Sequence, residues 1–187
     1  MKNSSPIFKS VRALTLAAML VAMSVVIGIF CKTLLNFGNG LMRITFENLP
    51  IILSGILFGP IAGGAVGAAS DLMSYLMSPQ TYPPNLIVTL GAAVIGIVSG
   101  LISQFAIKKR GCLQTTVCVS ASHFIGSMII KSIGLFQFYS WGVLVRIPIY
   151  IAIAALEALV LCLLFKNTTF SSLICGIMGD NKNDDIR

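Results

Sequence analysis

The sequence predicts an all-α integral membrane protein, with six transmembrane helices packed in one compact bundle. Of its 187 residues, 56% are hydrophobic and only 10% are charged, whereas a soluble domain carries roughly a quarter charged residues. Apolar runs long enough to cross a bilayer, which takes about 20 residues each, recur from end to end. The basic residues behind the net charge of +7 lie mostly between these runs, which is typical of membrane topology and not of a nucleic-acid surface.

The apolar runs divide the chain into helices and short connections, and we interpret residues 1–187 as a single membrane domain. The first run follows Lys2, Lys9 and Arg12; it is longer than the apolar region of a signal peptide and no A-x-A site closes it, so we expect a retained helix. The predicted segments are helices at about 11–30, 48–58, 61–77, 85–107, 115–134 and 142–165, and a cytoplasmic tail at 166–187.

The second predicted helix, 48–58, is short. At 1.5 Å per residue it covers less than about 20 Å of a hydrocarbon core about 30 Å thick. The basic run Lys108-Lys109-Arg110 falls on the cytoplasmic side only if this segment crosses. The positive-inside bias therefore favours six crossings with both termini in the cytoplasm.

Residues 31–47 form a long, polar outer loop between the first two predicted helices. Phe37-Gly38-Asn39-Gly40 indicates a turn, and the alternation at 43–46 indicates a short strand after it. A lid over a binding site and a plain connector fit the local sequence equally well.

Small residues recur at four-residue spacing in three helices, which lets helices approach closely in lipid. We expect the rows near 63–68 and 92–100 to pack internally. The row in the first helix either packs internally or contacts another subunit. It comprises Ala13, Ala17, Ala18 and Ala22.

Several sequence motifs of nucleotide binding and catalysis are missing. The sequence has no P-loop, no H-E-x-x-H and no acid partner by which the single His123 would form a catalytic set. The five cysteines contain no C-x-x-C pair, and we interpret them as structural residues and not as metal or redox ligands. We therefore expect neither an enzyme nor an ATPase, and no metal or cofactor.

Ionisable residues are concentrated in the outer half of the predicted bundle, where charges are costly and normally face a cavity or a partner. Four cations there face only two acids: Lys32, Arg43, Lys131 and Arg146 against Glu47 and Asp71. This excess favours an anionic ligand bound from outside. The alternative is an aromatic belt at the lipid headgroups with an Asp71–Arg146 structural ion pair.

Aromatic and amide groups lie at the same predicted depth, and flat apolar walls with a few polar groups suit a planar heterocycle carrying carboxylates. Glu157 is expected to make a structural hydrogen bond away from this pocket. The candidate ligand-binding residues are Arg43, Asp71, Tyr75, Asn85, His123, Lys131, Tyr139, Trp141, Arg146 and Tyr150.

Segment 43–71 carries Leu49-Pro50, Gly59-Pro60, Gly63, Gly67 and Asp71. This pattern resembles the S components of energy-coupling-factor (ECF) vitamin transporters, and R-I-x-F-E-N-L-P at 43–50 is similar to the folate branch. The resemblance implies a multi-pass protein of the bacterial cytoplasmic membrane that binds a vitamin at its outer face, under a lid that includes the first loop. It also implies docking, through the alanines of the first helix, on a transmembrane coupling subunit that carries two cytoplasmic ATPases.

Folate fits the predicted pocket. Asp71 and Asn85 would read the pterin, an aromatic side chain would stack on the rings, and cations such as Arg146 would neutralise the carboxylates. S components for pantothenate, riboflavin or thiamine are alternatives. Uncharged riboflavin leaves the cations unexplained, pantothenate leaves the aromatic residues unexplained, and thiamine is itself a cation. A membrane-embedded enzyme or a structural subunit fits less well.

Overall fold

The computed structural model describes residues 11–34, 36–37, 42–77, 85–106, 112–170 and 172. The described part is helical apart from one pair of short strands. The helices are α1 (Val11–Leu34), α2 (Asn48–Phe58), α3 (Pro60–Met77), α4 (Leu86–Leu101), α5 (Cys112–Ser122), α6 (Ser132–Tyr139) and α7 (Arg146–Lys166). The π-helical segment Ile102–Ala106 extends α4, and a second one, His123–Lys131, joins α5 to α6. A 3-10 segment, Ser140–Val145, leads into α7.

Four helical segments of the described residues are long and apolar enough to cross a membrane. They are Val11–Leu34, Leu86–Phe105, Cys112–Phe136 and Ser140–Lys166. The protein is therefore a helical membrane protein with several spans.

Helix α2 forms the centre of the bundle. Its residues from Pro50 to Leu57 are all buried, and Ile52 has no exposed surface. A helix that is apolar on every side belongs inside a protein. Because the surrounding helices bury α2 from Pro50 to Leu57, its short length does not expose this stretch of polar backbone to lipid.

Glycines hold α2, α3 and α4 in close contact. A Cβ atom on Gly63 would collide with the carbonyl oxygen of Gly96, and one on Gly96 would collide with the backbone of Gly63. The small-residue rows of α3 and α4 thus pack internally, as expected. Gly59 joins α2 to α3 with φ of 92°, a conformation that favours glycine, and its N–H donates to Gly55 O over 2.9 Å.

Several helix boundaries differ from the sequence prediction. Helix α5 begins at Cys112 and not at 115, and α7 begins at Arg146 and not at 142, because a 3-10 segment precedes it. Helix α1 continues to Leu34, so Lys32 belongs to its last turn and not to the loop. The connection predicted at 135–141 is helical as far as Tyr139, because apolar Leu135 continues the buried face, and the chain breaks only at Ser140, with φ of 45°. The predicted connection 78–84 and most of the tail 166–187 lie outside the described residues.

The outer loop contains a minimal antiparallel ladder. Strand β1 (Asn36–Phe37) pairs with β2 (Met42–Arg43), Asn36 opposite Arg43. The second strand thus begins one residue earlier than the alternation at 43–46 predicts. Strand β2 lies beside α7.

The cysteines are not all simple apolar side chains. Cys112 at the start of α5 and Cys162 in the last turns of α7 form a disulfide, with Cα atoms 4.8 Å apart. The sequence analysis did not predict this pair, since residues 50 positions apart give no local signal. Cys31 and Cys118 are free and buried.

Candidate ligand-binding cavity

A cavity lies where the ends of several helices converge. Together with the open solvent at its mouth, it contains about 740 Å³ of empty space. Helices α1 to α4, α6 and α7 and the π segment His123–Lys131 all contribute. The lining residues are Lys32, Thr45, Glu47, Asn48, Asp71, Leu72, Tyr75, Asn85, Val88, Thr89, Ser127, Lys131, Leu135, Arg146 and Tyr150.

Three cations from three different helical segments line this cavity. They are Lys32 at the end of α1, Lys131 at the end of the π segment and Arg146 at the start of α7. Lys131 and Arg146 are only 7% and 5% exposed. Buried cations at membrane depth normally serve a ligand or a partner, and here they share the cavity with the carboxylates of Glu47 and Asp71.

Lys131 is held in place by the segment that enters α2. Its Nζ donates to Asn48 Oδ1 over 3.1 Å and lies 3.6 Å from Glu47 Oε1. The main chain of Glu47 is fixed in turn, because Ser24 Oγ of α1 donates to its carbonyl oxygen over 2.7 Å. The first turn of α2 thus orients a cation on the opposite wall.

Lys32, which is partly buried, reaches across to α3. Its Nζ donates to the hydroxyl group and, over 3.4 Å, to the carbonyl oxygen of Ser74. Helix α1 is therefore tied to α3 beside the cavity, and the extension of α1 to Leu34 makes this contact possible.

The acidic wall is formed by α3 and α4. Asp71 Oδ2 accepts a hydrogen bond from Thr89 Oγ1 over 2.7 Å, and Tyr75 lies one helical turn further along α3. Carboxylate and aromatic ring thus lie on one wall, as the sequence predicts.

Asn85 lines the cavity, but its side chain also makes hydrogen bonds within the protein. It is the N-cap of α4, with Oδ1 accepting from Ile87 N over 2.9 Å, and its Nδ2 donates to Gly134 O over 2.7 Å. Its amide therefore anchors α4 to α6. Only its remaining hydrogen-bonding capacity is available to a ligand.

Two candidate residues lie away from the cavity. His123 is buried against Glu157, with 2.7 Å between Nε2 and Oε2. Trp141 is 74% exposed and makes an edge contact with Phe136, a position that suits the aromatic belt. The side chains of Arg43 and Tyr139 lie outside the described part of the structure. Asp71, Tyr75, Asn85, Lys131, Arg146 and Tyr150 line one cavity.

Sequence reasoning missed several lining residues. Glu47 and Asn48 belong to the motif segment 43–50, which could have indicated them. Thr89 and Thr45 carry no ionisable group at membrane depth, so nothing in the sequence distinguishes them from packing residues.

The alanine row of α1 is divided between two faces. Ala17 is buried and Ala13 partly buried, whereas Ala18 and Ala22 are exposed. The second pair is therefore the more accessible one on the surface of the bundle.

The helical bundle defines a multi-pass membrane protein with a charged cavity among its helices. A family model described as "ECF-type riboflavin transporter, S component" matches residues 8–177. The chain belongs to this family of transporter components, which confirms the S-component resemblance. These are not enzymes.

Two known proteins are similar to the chain. The "Folate transporter FolT" of Clostridium novyi (strain NT) is 31% identical over 94 residues. This match covers 50% of the chain and 51% of the relative, so it spans about half of the relative's length. A solved structure described as "Crystal structure of FolT bound with folic acid" has a TM-score of 0.64 and 19% identity, covering 81% of this chain and 90% of that one. At this identity the structural match establishes the fold.

Proposed function

We propose that the protein is the S component of a folate importer. It captures folate at the outer face of the bacterial cytoplasmic membrane and delivers it through an ATP-driven ECF complex. The observation that carries this proposal is the convergence of Lys32, Lys131 and Arg146 on one cavity that also contains Asp71 and Tyr75.

Folate matches this set of groups. Its glutamate carboxylates are negatively charged, and the guanidinium group of Arg146 can form two parallel hydrogen bonds with one carboxylate. Its pterin has a donor edge that suits the carboxylate of Asp71, and its rings suit the face of Tyr75. The names of the two FolT proteins support the same ligand.

Riboflavin is the second candidate, because the matching family model carries its name. Riboflavin is uncharged, however, and brings no anionic group to the three cations that line the cavity. The charge of the cavity therefore favours folate over riboflavin.

The topology that we propose has six crossings and both termini in the cytoplasm. Helix α2 and helix α3 supply the second and third crossings beside the four long segments. The outer loop acts as a lid, an idea supported by strand β2 lying beside α7, whose first residue Arg146 lines the cavity. A transmembrane coupling subunit carrying two ATPases would dock on the exposed alanines Ala18 and Ala22.

Calorimetric titration of the purified protein in detergent tests the ligand. We expect folic acid to bind more tightly than riboflavin, pantothenate or thiamine, and Arg146→Ala and Asp71→Ala each to weaken folic acid binding at least tenfold. Lys166→Ala, at the far end of α7, is the control and should bind as the wild type does. Tighter binding of riboflavin than of folic acid would assign the site to riboflavin, and unchanged affinity in both variants would remove this cavity as the site.

A further inference from the structure

A chain of three buried polar side chains runs from the cavity into the core. Ser127 borders the cavity, and its Oγ lies 3.2 Å from His123 Nδ1. His123 Nε2 lies 2.7 Å from Glu157 Oε2 of α7. None of the three side chains is more than 2% exposed. The proposed function makes no use of His123 or Glu157.

The surroundings of Glu157 do not suit an ionised carboxylate. Its Oε1 is buried and has no hydrogen-bond partner among the described residues. The charged groups around the pair are Lys131 and Glu47, and these two face each other at 3.6 Å. Burial of an isolated charge is expensive, whereas the carbonyl oxygen of a neutral carboxyl group is far cheaper to leave unpaired.

We propose that Glu157 is a neutral carboxylic acid that sets the direction of the whole chain of hydrogen bonds. Its Oε2–H donates to His123 Nε2, so the neutral imidazole carries its hydrogen on Nδ1. Nδ1–H donates to Ser127 Oγ. The hydroxyl hydrogen of Ser127 is then free to be donated into the cavity.

This direction matters for recognition. With an ionised Glu157 and the hydrogen of His123 on Nε2, Nδ1 would accept from Ser127, and Ser127 would turn lone pairs towards the cavity. Lone pairs would repel an anionic ligand that the three cations attract. In the proposed arrangement Ser127 is a ligand-contacting donor to an oxygen or ring-nitrogen acceptor, and His123 and Glu157 are positioning residues.

Two spectroscopic measurements test the proton positions without any ligand. His123 is the single histidine of the chain, so ¹⁵N-histidine labelling gives one pair of ring signals. We expect a neutral ring protonated on Nδ1, and an infrared carbonyl band of a buried carboxylic acid that is lost in Glu157→Gln. An imidazolium, a ring protonated on Nε2, or the absence of the carboxylic acid band would overturn the proposal.

Ligand affinity tests the consequence for recognition and rests on the proposed function. Glu157→Gln retains a neutral donor to Nε2 and should bind folic acid within about twofold of the wild type. Glu157→Met keeps the size but removes the donor, and Ser127→Ala removes the hydroxyl; each should weaken binding about five- to tenfold, the loss of one hydrogen bond.

The outcomes separate the two hypotheses. Unchanged affinity in Ser127→Ala, or an equal loss in Glu157→Gln and Glu157→Met, would contradict the role of this chain in recognition. If Glu157→Met does not fold, the affinity of Glu157→Gln and the histidine spectrum still test the proposed direction of the hydrogen bonds. A wild-type protein that binds no folic acid would contradict the proposed ligand, while the spectra would still decide the proton positions.

Discussion

Thr89 Oγ1 donates a hydrogen bond to Asp71 Oδ2 over 2.7 Å, joining α4 to α3 at the wall of the cavity. The bond fixes the carboxylate in one orientation and satisfies one of its two oxygens. The second oxygen can then accept from a ligand without the cost of reorienting the side chain. We therefore expect Thr89 to contribute to ligand recognition through Asp71.

Loss of this hydroxyl group should weaken ligand binding. Thr89→Val keeps the shape of the side chain but removes the donor, and a hydrogen bond to a charged group contributes about 1.5–3 kcal/mol. Because Asp71 remains, we expect a loss of about tenfold in folic acid affinity by calorimetry. Thr89→Ser keeps the hydroxyl and serves as the control. Equal affinities of the valine and serine variants would contradict this role.

Lys131 should contribute more than Thr89, because it supplies charge. Lys131→Met keeps the apolar stem but removes the cation, and leaves Glu47 facing the ligand carboxylates. In a binding site, truncating one partner of a buried charge pair costs about 2–5 kcal/mol of binding free energy. We expect folic acid affinity to fall more than a hundredfold in calorimetric titrations.

The matched control is Lys166→Met, the same substitution at an exposed position at the end of α7. It should leave both affinity and melting temperature unchanged. Comparable affinities for the two methionine variants would exclude Lys131 from the binding of the anion.

Features governed by composition and local pattern could be predicted from the sequence. The bounds 48–58 of α2 follow from Asn48 and Gly59, which frame an apolar run. Asp71, Lys131 and Arg146 line one cavity because the energetic cost of charge at membrane depth leaves few other places for them.

Features that depend on the rotation of helices against each other could not be predicted. His123 and Ser127 share a helical face with Lys131, yet only the position of α7 determines that His123 meets Glu157, 34 residues away. The sequence interpretation assigned Glu157 a structural hydrogen bond and His123 a ligand contact. It could not pair them, because neither spacing nor composition carries that information.

The contact of α3 with α4 should tolerate no added methyl group. Gly96→Ala would place a Cβ against the carbonyl oxygen of Gly63, and overpacking costs about 1–3 kcal/mol. We expect a lower melting temperature in detergent. Ala65→Val adds bulk on the exposed side of the same helix pair and should melt as the wild type does. A Gly96→Ala protein with wild-type melting would contradict the close approach.

The alanines of α1 should separate binding from transport. Ala18 and Ala22 are exposed, whereas Ala17 is buried. Neither exposed alanine lines the cavity, to which α1 contributes Lys32. Ala18→Leu and Ala22→Leu should keep folic acid affinity in detergent, because nothing in the bundle has to move. They should abolish folate uptake in cells that contain the coupling subunit, since a bulky side chain prevents close helix contact.

Ala17, the buried neighbour of Ala18, provides a comparison with the two exposed alanines. Ala17→Leu overpacks the core beside α2 and should lower the melting temperature of the protein by itself. A loss of uptake in Ala18→Leu and Ala22→Leu at unchanged melting temperature and affinity therefore locates the docking face. Wild-type uptake in both variants would place the coupling subunit on another surface of the bundle.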